Sequence, residues 1–350
     1  MENNKTTIII PALKNSLILK ETISHCLKLE GEVDVIIVTD DKNNLHFNEL
    51  ANVKYIVVQR GMTMSKKRNI AAKKTDSKYL TFFDSDSFPA SNNWILNAIN
   101  CLKKDKKIYC VGGPDTSPQE QNESQHSVGL LKKSFLISGF RNHRKNKVNE
   151  MFVPELSSSN LFMEKNKYFE MEGMDENLYT GEDTDLFNRI IAKGYKLFYS
   201  PNVHAYHYDR IFSSFLIERY DRGMQSTIAI KSYIKNLIKK KNVISGDAYT
   251  SKTFRFEFLI NPIFSVYILM LLFLIIFSKF SFFFLIPILF LFILCVYESF
   301  RLCGLSKKTL PFFLKLITCI LICSFASLLL FFGVSINLKK YYRNYSDTFK

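Results

Sequence analysis

Asp84 and Asp86 stand two residues apart in YLTFFDSDSFPASNNW (79–94), where an apolar run ends in three polar residues before Pro89. Acids so placed either close a surface turn by satisfying backbone donors or hold something that needs two carboxylates. A hard divalent cation, Mg²⁺ or Mn²⁺, suits them, because it takes one or two protein carboxylates and shares its other positions with phosphates and water. A second acidic pair, Asp40 and Asp41, follows DVIIVT, where an Asx-turn is an equal alternative. A third pair, Glu182 and Asp183, lies in YTGEDTDLFNRIIAKGY (179–195). There Thr180 or Gly181 reads as a helix cap, Leu186, Ile190 and Ile191 fall at helical spacing, and Gly194 marks the stop. Acids in a first helical turn are favoured by the helix dipole with no chemistry involved. His204 and His207 follow in SPNVHAYHYDR; their spacing would suit one metal on a helix, but the Pro and β-branched neighbours argue for a strand or loop.

These residues need elements to position them. Apolar runs rich in β-branched residues occur at 6–11, 34–40, 54–59, 78–84 and 107–113. Segments with helical spacing lie between several of them: SLILKETISHCLKLEG, MSKKRNIAAKKTDS and NNWILNAINCLKKD. Alternation of this kind predicts an α/β fold, a Rossmann-like, mostly parallel sheet with helices on both faces. In such sheets ligands sit outside the carboxyl ends of the strands, where Asp40, Asp41, Asp84 and Asp86 all fall.

The chain of 350 residues changes character near residue 258. Three apolar runs, 258–277, 280–297 and 316–336, carry no charge and are about as long as a ~30 Å hydrocarbon core requires. They predict a C-terminal α-helical transmembrane region, the first two runs forming a hairpin around Ser278 and Lys279. The loop 301–308 and the tail 338–350 are both basic, yet three full spans place them on opposite sides. One run that is re-entrant or interfacial, or a tail that crosses despite its charge, would account for that conflict. A basic linker, 236–257, precedes the spans and faces an anionic leaflet in this reading. The net charge of +15 favours an anionic partner. Nucleic acid is disfavoured, because much of the excess flanks the apolar runs and no nucleic-acid module is recognisable. Seven scattered Cys, without C-x-x-C or zinc spacing, read as reduced thiols. The N-terminal apolar run is too short for a signal peptide, so the first 235 residues are expected to form a cytoplasmic domain on the inner membrane.

The segments IIIPALKN, VDVIIVTDD, GMTMSKKRNIAAKKTDSKYLTFFDSDSFP, SSNLFMEKNKYFEMEGMDENLYTGEDTDLFNRIIAKGY and PNVHAYHY resemble, in order, the blocks of family 2 glycosyltransferases with the GT-A fold. The resemblance covers roughly residues 6–225. It departs at ALKN, where the family has T-Y-N, and at T-D-D-K, where it has D-D-G-S. The resemblance implies that Asp86 binds the metal directly, while Asp84 contacts ribose or supports the metal. His207 fits a further metal-ligand position better than His204. Pro11, Asp40, Asp41 and Arg68 would line the nucleotide, the last as a guanidinium fork for phosphate or base. Lys66 and Lys67 beside it read as a solvated helix face. By the same resemblance Asp183 is the base that deprotonates an acceptor hydroxyl and Glu182 binds or orients the acceptor. A carboxylate is a weak base in water, so that site should be partly desolvated. Arg222 in IERYDRGMQ would reach the diphosphate, although the Q-x-x-R-W motif of processive relatives is absent, which favours transfer of one sugar.

The expected activity is that of a membrane-anchored inverting glycosyltransferase. It would use a UDP- or GDP-sugar and a divalent metal, and act on a lipid-linked or glycan acceptor in envelope polysaccharide or glycan synthesis. Gly112, Gly113 and Asn160 are candidates for the sugar pocket. Nucleotidyl transfer is disfavoured because IIIPALKNS contains no Gly-rich phosphate loop. A noncatalytic membrane protein that binds nucleotide-sugar or glycan is the alternative from another class.

Overall fold

A computed structural model describes residues 4–14, 16–41, 52–178, 181–238, 257–276 and 282–334. In chain order the strands and helices begin with β1 (Thr6–Ala12), α1 (Leu17–Cys26), β2 (Val33–Thr39), β3 (Val53–Val57) and α2 (Met64–Lys73). They continue with β4 (Tyr79–Phe82), β5 (Ser87–Pro89), α3 (Trp94–Leu102), β6 (Ile108–Gly112), β7 (Asp115–Thr116), α4 (Glu123–Lys133) and α5 (Phe135–Ser138). Then follow β8 (Met151–Val153), β9 (Leu161–Glu164), α6 (Lys165–Glu170), α7 (Glu182–Ala192), β10 (Lys196–Tyr199) and β11 (Ala205–His207). The last four helices are α8 (Phe212–Ile238), α9 (Glu257–Ile276), α10 (Ile286–Cys303) and α11 (Thr309–Phe331).

By their contacts the described residues divide into two units: residues up to 120 with 143–208, and 121–142 with those from 209 onward. Residues 121–142 and 209–238, expected in the first domain, thus group with the C-terminal helices.

The first unit is built on an eight-stranded sheet ordered β3-β2-β1-β4-β9-β6-β10-β8. The strands read from apolar runs are present, because a sheet covered on both faces needs near-continuous apolar strands, and every residue of β1 is buried. Ile8 and Ile10 point into a core with Leu19 and Ile23 of α1 and Trp94 and Ala98 of α3. Ile9 points the other way, toward Ala71 of α2 and Leu186 and Ile190 of α7. Pro11 is accommodated within β1 because the ladder to β4 ends at Ile9, so its missing N–H leaves that ladder intact.

The sheet is mixed rather than a simple parallel array. β9 lies between β4 and β6 and runs antiparallel to both, and the edge strand β8 is antiparallel to β10. Glycines permit the close packing beside it. A Cβ on Gly112 would sit 2.6 Å from the Asn160 carbonyl oxygen, and one on Gly113 only 2.1 Å from that of Val203. Gly112 and Gly113 are therefore enclosed by backbone, and the fully buried Asn160 donates to the Val203 carbonyl at 2.9 Å. They hold strands and loops together at this point of the sheet. A second, three-stranded sheet, β5-β11-β7, stands beyond the strand ends.

The second unit packs α4, α5 and α8 with the C-terminal helices. Asn122 and Gln125 form a reciprocal capping box that starts α4. Buried Asp209 accepts from Lys132 Nζ at 2.9 Å and from Gln121 Nε2 at 3.2 Å. α8 and α11 approach so closely that a Cβ on Gly223 would lie 1.9 Å from the Cys323 carbonyl oxygen, and Thr227 Oγ1 hydrogen-bonds to the Ser327 carbonyl at 2.9 Å. Small residues and hydroxyl bonds at a helix contact are the pattern found where lipid supplies no hydrophobic drive.

Among the described residues, two helices are long and apolar enough to cross a membrane, Ile286–Cys303 and Thr309–Leu330. Three spans were expected, and the bounds of the last two differ. α10 starts at Ile286 because a short 3-10 helix, Phe282–Leu285, precedes it. It runs on past residue 297 because the Glu298 carboxylate is buried, pairs with Arg301 at 2.7 Å and accepts from the Phe135 amide at 3.1 Å. α11 begins earlier than residue 316, since Lys315 Nζ is satisfied by Ser127 Oγ at 2.9 Å. In α9, which contains Pro262, the described apolar stretch is the shorter Pro262–Leu271. Most of the linker (239–256), Ser278, Lys279 and the basic tail lie outside the described residues.

Candidate active site

The site grows from the end of β4. After Phe83 the chain turns, and Ser87 Oγ accepts from the Asp84 amide at 2.7 Å while the Ser87 amide donates back to the Asp84 carbonyl at 3.1 Å. Ser87 thus closes the turn through its own hydroxyl and amide. β5 then pairs antiparallel with β11, setting His207 opposite Ser87. This register brings His207 Nε2 to 3.4 Å from Asp86 Oδ1.

One potential ligand atom from each of Asp84, Asp86 and His207 lies within 4.8 Å of the others, all on half-buried side chains. Donor atoms ~2.1 Å from one octahedral cation lie up to ~4.2 Å apart, so small side-chain rotations would seat all three. Two carboxylates suit Mg²⁺ or Mn²⁺, and the imidazole beside them, a transition-metal ligand, favours Mn²⁺ of the two.

Arg68 joins this turn to the third acidic pair. Its guanidinium, on α2, is 3% exposed and forks to Asp84 Oδ1 at 2.7 Å and Glu182 Oε1 at 2.8 Å. Burial works against that charge, but Asp84, Glu182 and Asp183 outweigh it and keep the guanidinium protonated. On the acid side, burial and then Asp183 push the Glu182 carboxyl up, and Arg68 pulls it back. Gly181, at a left-handed φ of 81°, caps α7 and places Glu182 and Asp183 in its first turn. Thr180 lies outside the described residues. Asp183 is half-buried, and its Oδ1 accepts the Thr184 amide at 2.8 Å.

Lys67 departs from expectation. Expected on a solvated helix face, it is fully buried, ion-paired with Asp40 at 3.0 Å, and donates to the Ala12 carbonyl at 2.6 Å. It ties the end of β1, beside Pro11, to the end of β2. The α2 face that carries Lys67 and Arg68 points at the strand ends; Lys66, which is exposed, is the solvated one. Asp41 donates its amide to Thr39 Oγ1 at 3.1 Å, a local turn. Arg222 belongs to the second unit, where it pairs with Glu218 at 3.1 Å.

His204 stays apart from the cation cluster and hydrogen-bonds to Thr116 Oγ1 at 2.6 Å. Burial, with help from Lys147, lowers its pKa to about 4. Between the ordinary His pKa near ~6.5 and about 4, the unfolded chain binds a proton that the folded one does not. Stability should therefore fall by on the order of 3 kcal/mol as pH drops through that window. Denaturation curves at pH 7 and pH 4.5 test this: His204→Gln should lose less than the parent, and equal losses in both would refute it.

Several buried or half-buried polar residues near the site escaped the sequence. Glu155 is buried and accepts from Thr184 Oγ1 at 2.9 Å. Arg144 donates to Ser157 Oγ at 2.7 Å. Burial would raise the Asp115 carboxyl, but Lys145, Arg144 and His207 together bring it below the usual range. The available signal was an acid inside GGPDTSP and VPELSSS, stretches otherwise small or apolar.

Residues 7–161 match the family model "Glycosyl transferase family 2". This segment is a family 2 glycosyl transferase domain. No curated protein matches the chain. Among solved structures, the mannosyltransferase PcManGT from Pyrobaculum calidifontis, in complex with GDP-Man and Mn²⁺, is similar at a TM-score of 0.56 and 11% identity. The match covers 93% of this chain and 87% of that one. GalNAc-T7 with UDP, GalNAc and Mn²⁺ is similar at a TM-score of 0.47 and 18% identity, over 60% of this chain and 45% of that one, under half its length. The likeness to PcManGT is one of fold, and the transferase domain shares with it the GT-A arrangement of a mixed, mostly parallel sheet flanked by helices.

Proposed function

We propose that this protein is a membrane-anchored, metal-dependent, inverting glycosyltransferase that moves one sugar from a UDP- or GDP-sugar to an acceptor hydroxyl. The observation that carries the reading is the Arg68 fork, which holds the Asp84–Asp86–His207 cluster and the Glu182–Asp183 turn at one place. Sugar transfer builds charge on a leaving diphosphate while the acceptor hydroxyl loses a proton, so it needs a cationic clamp and a base side by side. A Mg²⁺ or Mn²⁺ ion held by Asp86, Asp84 and His207 would supply the clamp for the diphosphate. Asp183 takes the acceptor proton, and Glu182, fixed by Arg68, orients the acceptor. Asp40 and Asp41, at the end of β2, accept from the donor's base or ribose, and Lys67 fixes Asp40 in place for that contact. The PcManGT complex with GDP-Man and Mn²⁺ named above supports the choice of cofactor and donor class.

Membrane anchoring rests on α10 and α11, with exposed apolar side chains such as Leu289, Phe290, Ile293 and Phe325. A transferase domain tethered in this way serves a lipid-linked acceptor or glycan, with the domain on the cytoplasmic side of the inner membrane and the chain crossing more than once. The test is nucleotide diphosphate release by detergent-purified protein from a panel of nucleotide-sugars, with Mg²⁺, Mn²⁺ or EDTA, and with or without a lipid extract. One donor should turn over, EDTA should reduce release at least 100-fold, and the extract should stimulate it. Release from no donor by folded protein would favour a noncatalytic binding role, and no response to lipid would remove the lipid-linked acceptor.

A further inference from the structure

Three polar atoms where α8 meets the C-terminal helices are buried without a hydrogen-bond partner: Arg219 Nε, Tyr220 Oη and Ser324 Oγ. Their residues are 9%, 7% and 5% exposed. Among the described residues no carboxylate stands within ion-pair range of Arg219, and no carboxylate, carbonyl or hydroxyl accepts from it. The adjacent acid, Glu218, is held by Arg222 at 3.1 Å and Arg210 at 3.8 Å. Across the contact Arg219 neighbours the thiols of Cys319 and Cys323, which are weak acceptors. A buried cation in this state is costly until an anion reaches it.

The register of the two helices gives the depth of the three residues. Gly223 meets Cys323 and Thr227 meets Ser327, so α8 and α11 run parallel and in step. Arg219 and Tyr220 therefore lie level with Cys319 and Ile320, and Ser324 lies about one turn further along. Lys315 is the only charge in α11, and the charge-free stretch to Phe331 begins with the next residue. Arg219 thus enters the apolar bundle one turn inside its charged border. From there a long cationic side chain reaches the headgroup level of a bilayer. The anion carried at that level by phospholipids and polyprenyl phosphates is phosphate. A guanidinium fork matches two of its oxygens, and a phenol donates to a third.

We propose that Arg219 and Tyr220 of α8, with Ser324 of α11, form a receptor for the phosphate of a membrane lipid. The inference rests on the membrane reading of α10 and α11 and adds a ligand to it. Two lipids share this chemistry, a polyprenyl phosphate and a bulk anionic phospholipid.

Native mass spectrometry of the full chain in detergent micelles measures occupancy by three probes: a polyprenyl phosphate, phosphatidylglycerol and uncharged polyprenol. The parent should bind at least one phosphate probe about tenfold or more tighter than polyprenol, and the tighter of the two names the source. Arg219→Met should weaken that binding roughly 10- to 100-fold, the loss expected for a hydrogen bond to a charged group. Arg219→Lys should recover part of it, and Tyr220→Phe should weaken it roughly 2- to 10-fold. Without lipid, Arg219→Met should unfold at or above the parent's temperature, because it removes a buried charge that has no partner; a residue that only packed the helices would lower it. The phosphate probe should raise the unfolding temperature of the parent and leave that of Arg219→Met unchanged. No preference over polyprenol in the parent, or parent-like binding by folded Arg219→Met, overturns the proposal. Release of the chain from membranes by alkaline carbonate would instead defeat the membrane reading on which it rests, so the two failures are distinguishable.

Discussion

Asp183→Asn is expected to lower sugar transfer by a factor of roughly 10²–10⁴, the usual contribution of a positioned general base, while donor affinity stays within about twofold of the parent. The separation of effects follows from geometry. Asp183 lies in the first turn of α7 and makes no contact with Asp84, Asp86 or His207 among those described, whereas its neighbour Glu182 is bound to Arg68. The amide of Asn can still accept the Thr184 N–H, so the helix start should survive. Single-turnover transfer with the preferred donor, alongside calorimetric titration of that donor, measures both quantities. Transfer within tenfold of the parent would show that the base lies elsewhere, and a matching loss of donor affinity would mean that Asp183 supports the nucleotide side.

Arg68→Met should have the largest effect on stability. It removes the one cation shared by two acids and leaves Glu182, 14% exposed, facing Asp84 without compensation. Breaking a buried ion pair by deleting one partner costs about 3–5 kcal/mol. The Asp84 arm contributes the smaller share because that side chain is 35% exposed and water screens it. Chemical denaturation should show the loss, and Arg68→Lys should recover less than half, since one ammonium cannot fork to two carboxylates. A variant as stable as the parent would place the Arg68 charge in the donor site alone.

Much of the transferase domain was legible because its determinants are local. The strands β1, β2 and β4 announce themselves by β-branched and aromatic runs, and α2 and α3 by apolar spacing. β9 has four residues and β8 three, too few to carry a period that distinguishes strand from helix. Missing β9 hid the antiparallel insertion. Asp84 and Asp86 could be read together because they are adjacent in sequence, and His207 joins them only through the β5–β11 register. Lys67 was misread since its partner Asp40 lies 27 positions away and its acceptor, the Ala12 carbonyl, 55. The Arg68–Glu182 bond spans 114 positions, and no periodicity reports such a contact. Burial decides the fate of a charged side chain, and burial is a property of the assembled sheet.

The antiparallel strand β9 also bears on how the protein is made. Phe82 of β4 pairs with Leu161 of β9, so the last residue of one strand waits for a partner far along the chain. At a synthesis rate of ~5–20 residues per second, the roughly 80 intervening residues take about 4–16 s to emerge. Through that interval the half-sheet β3-β2-β1-β4 presents YLTF as an open edge, four side chains that are buried once the sheet is complete. An open apolar edge is a template for pairing with another nascent chain. Yield in a foreign host should therefore depend on whatever shields that edge on the ribosome, and on translation fast enough to deliver residue 164 before a neighbouring chain arrives.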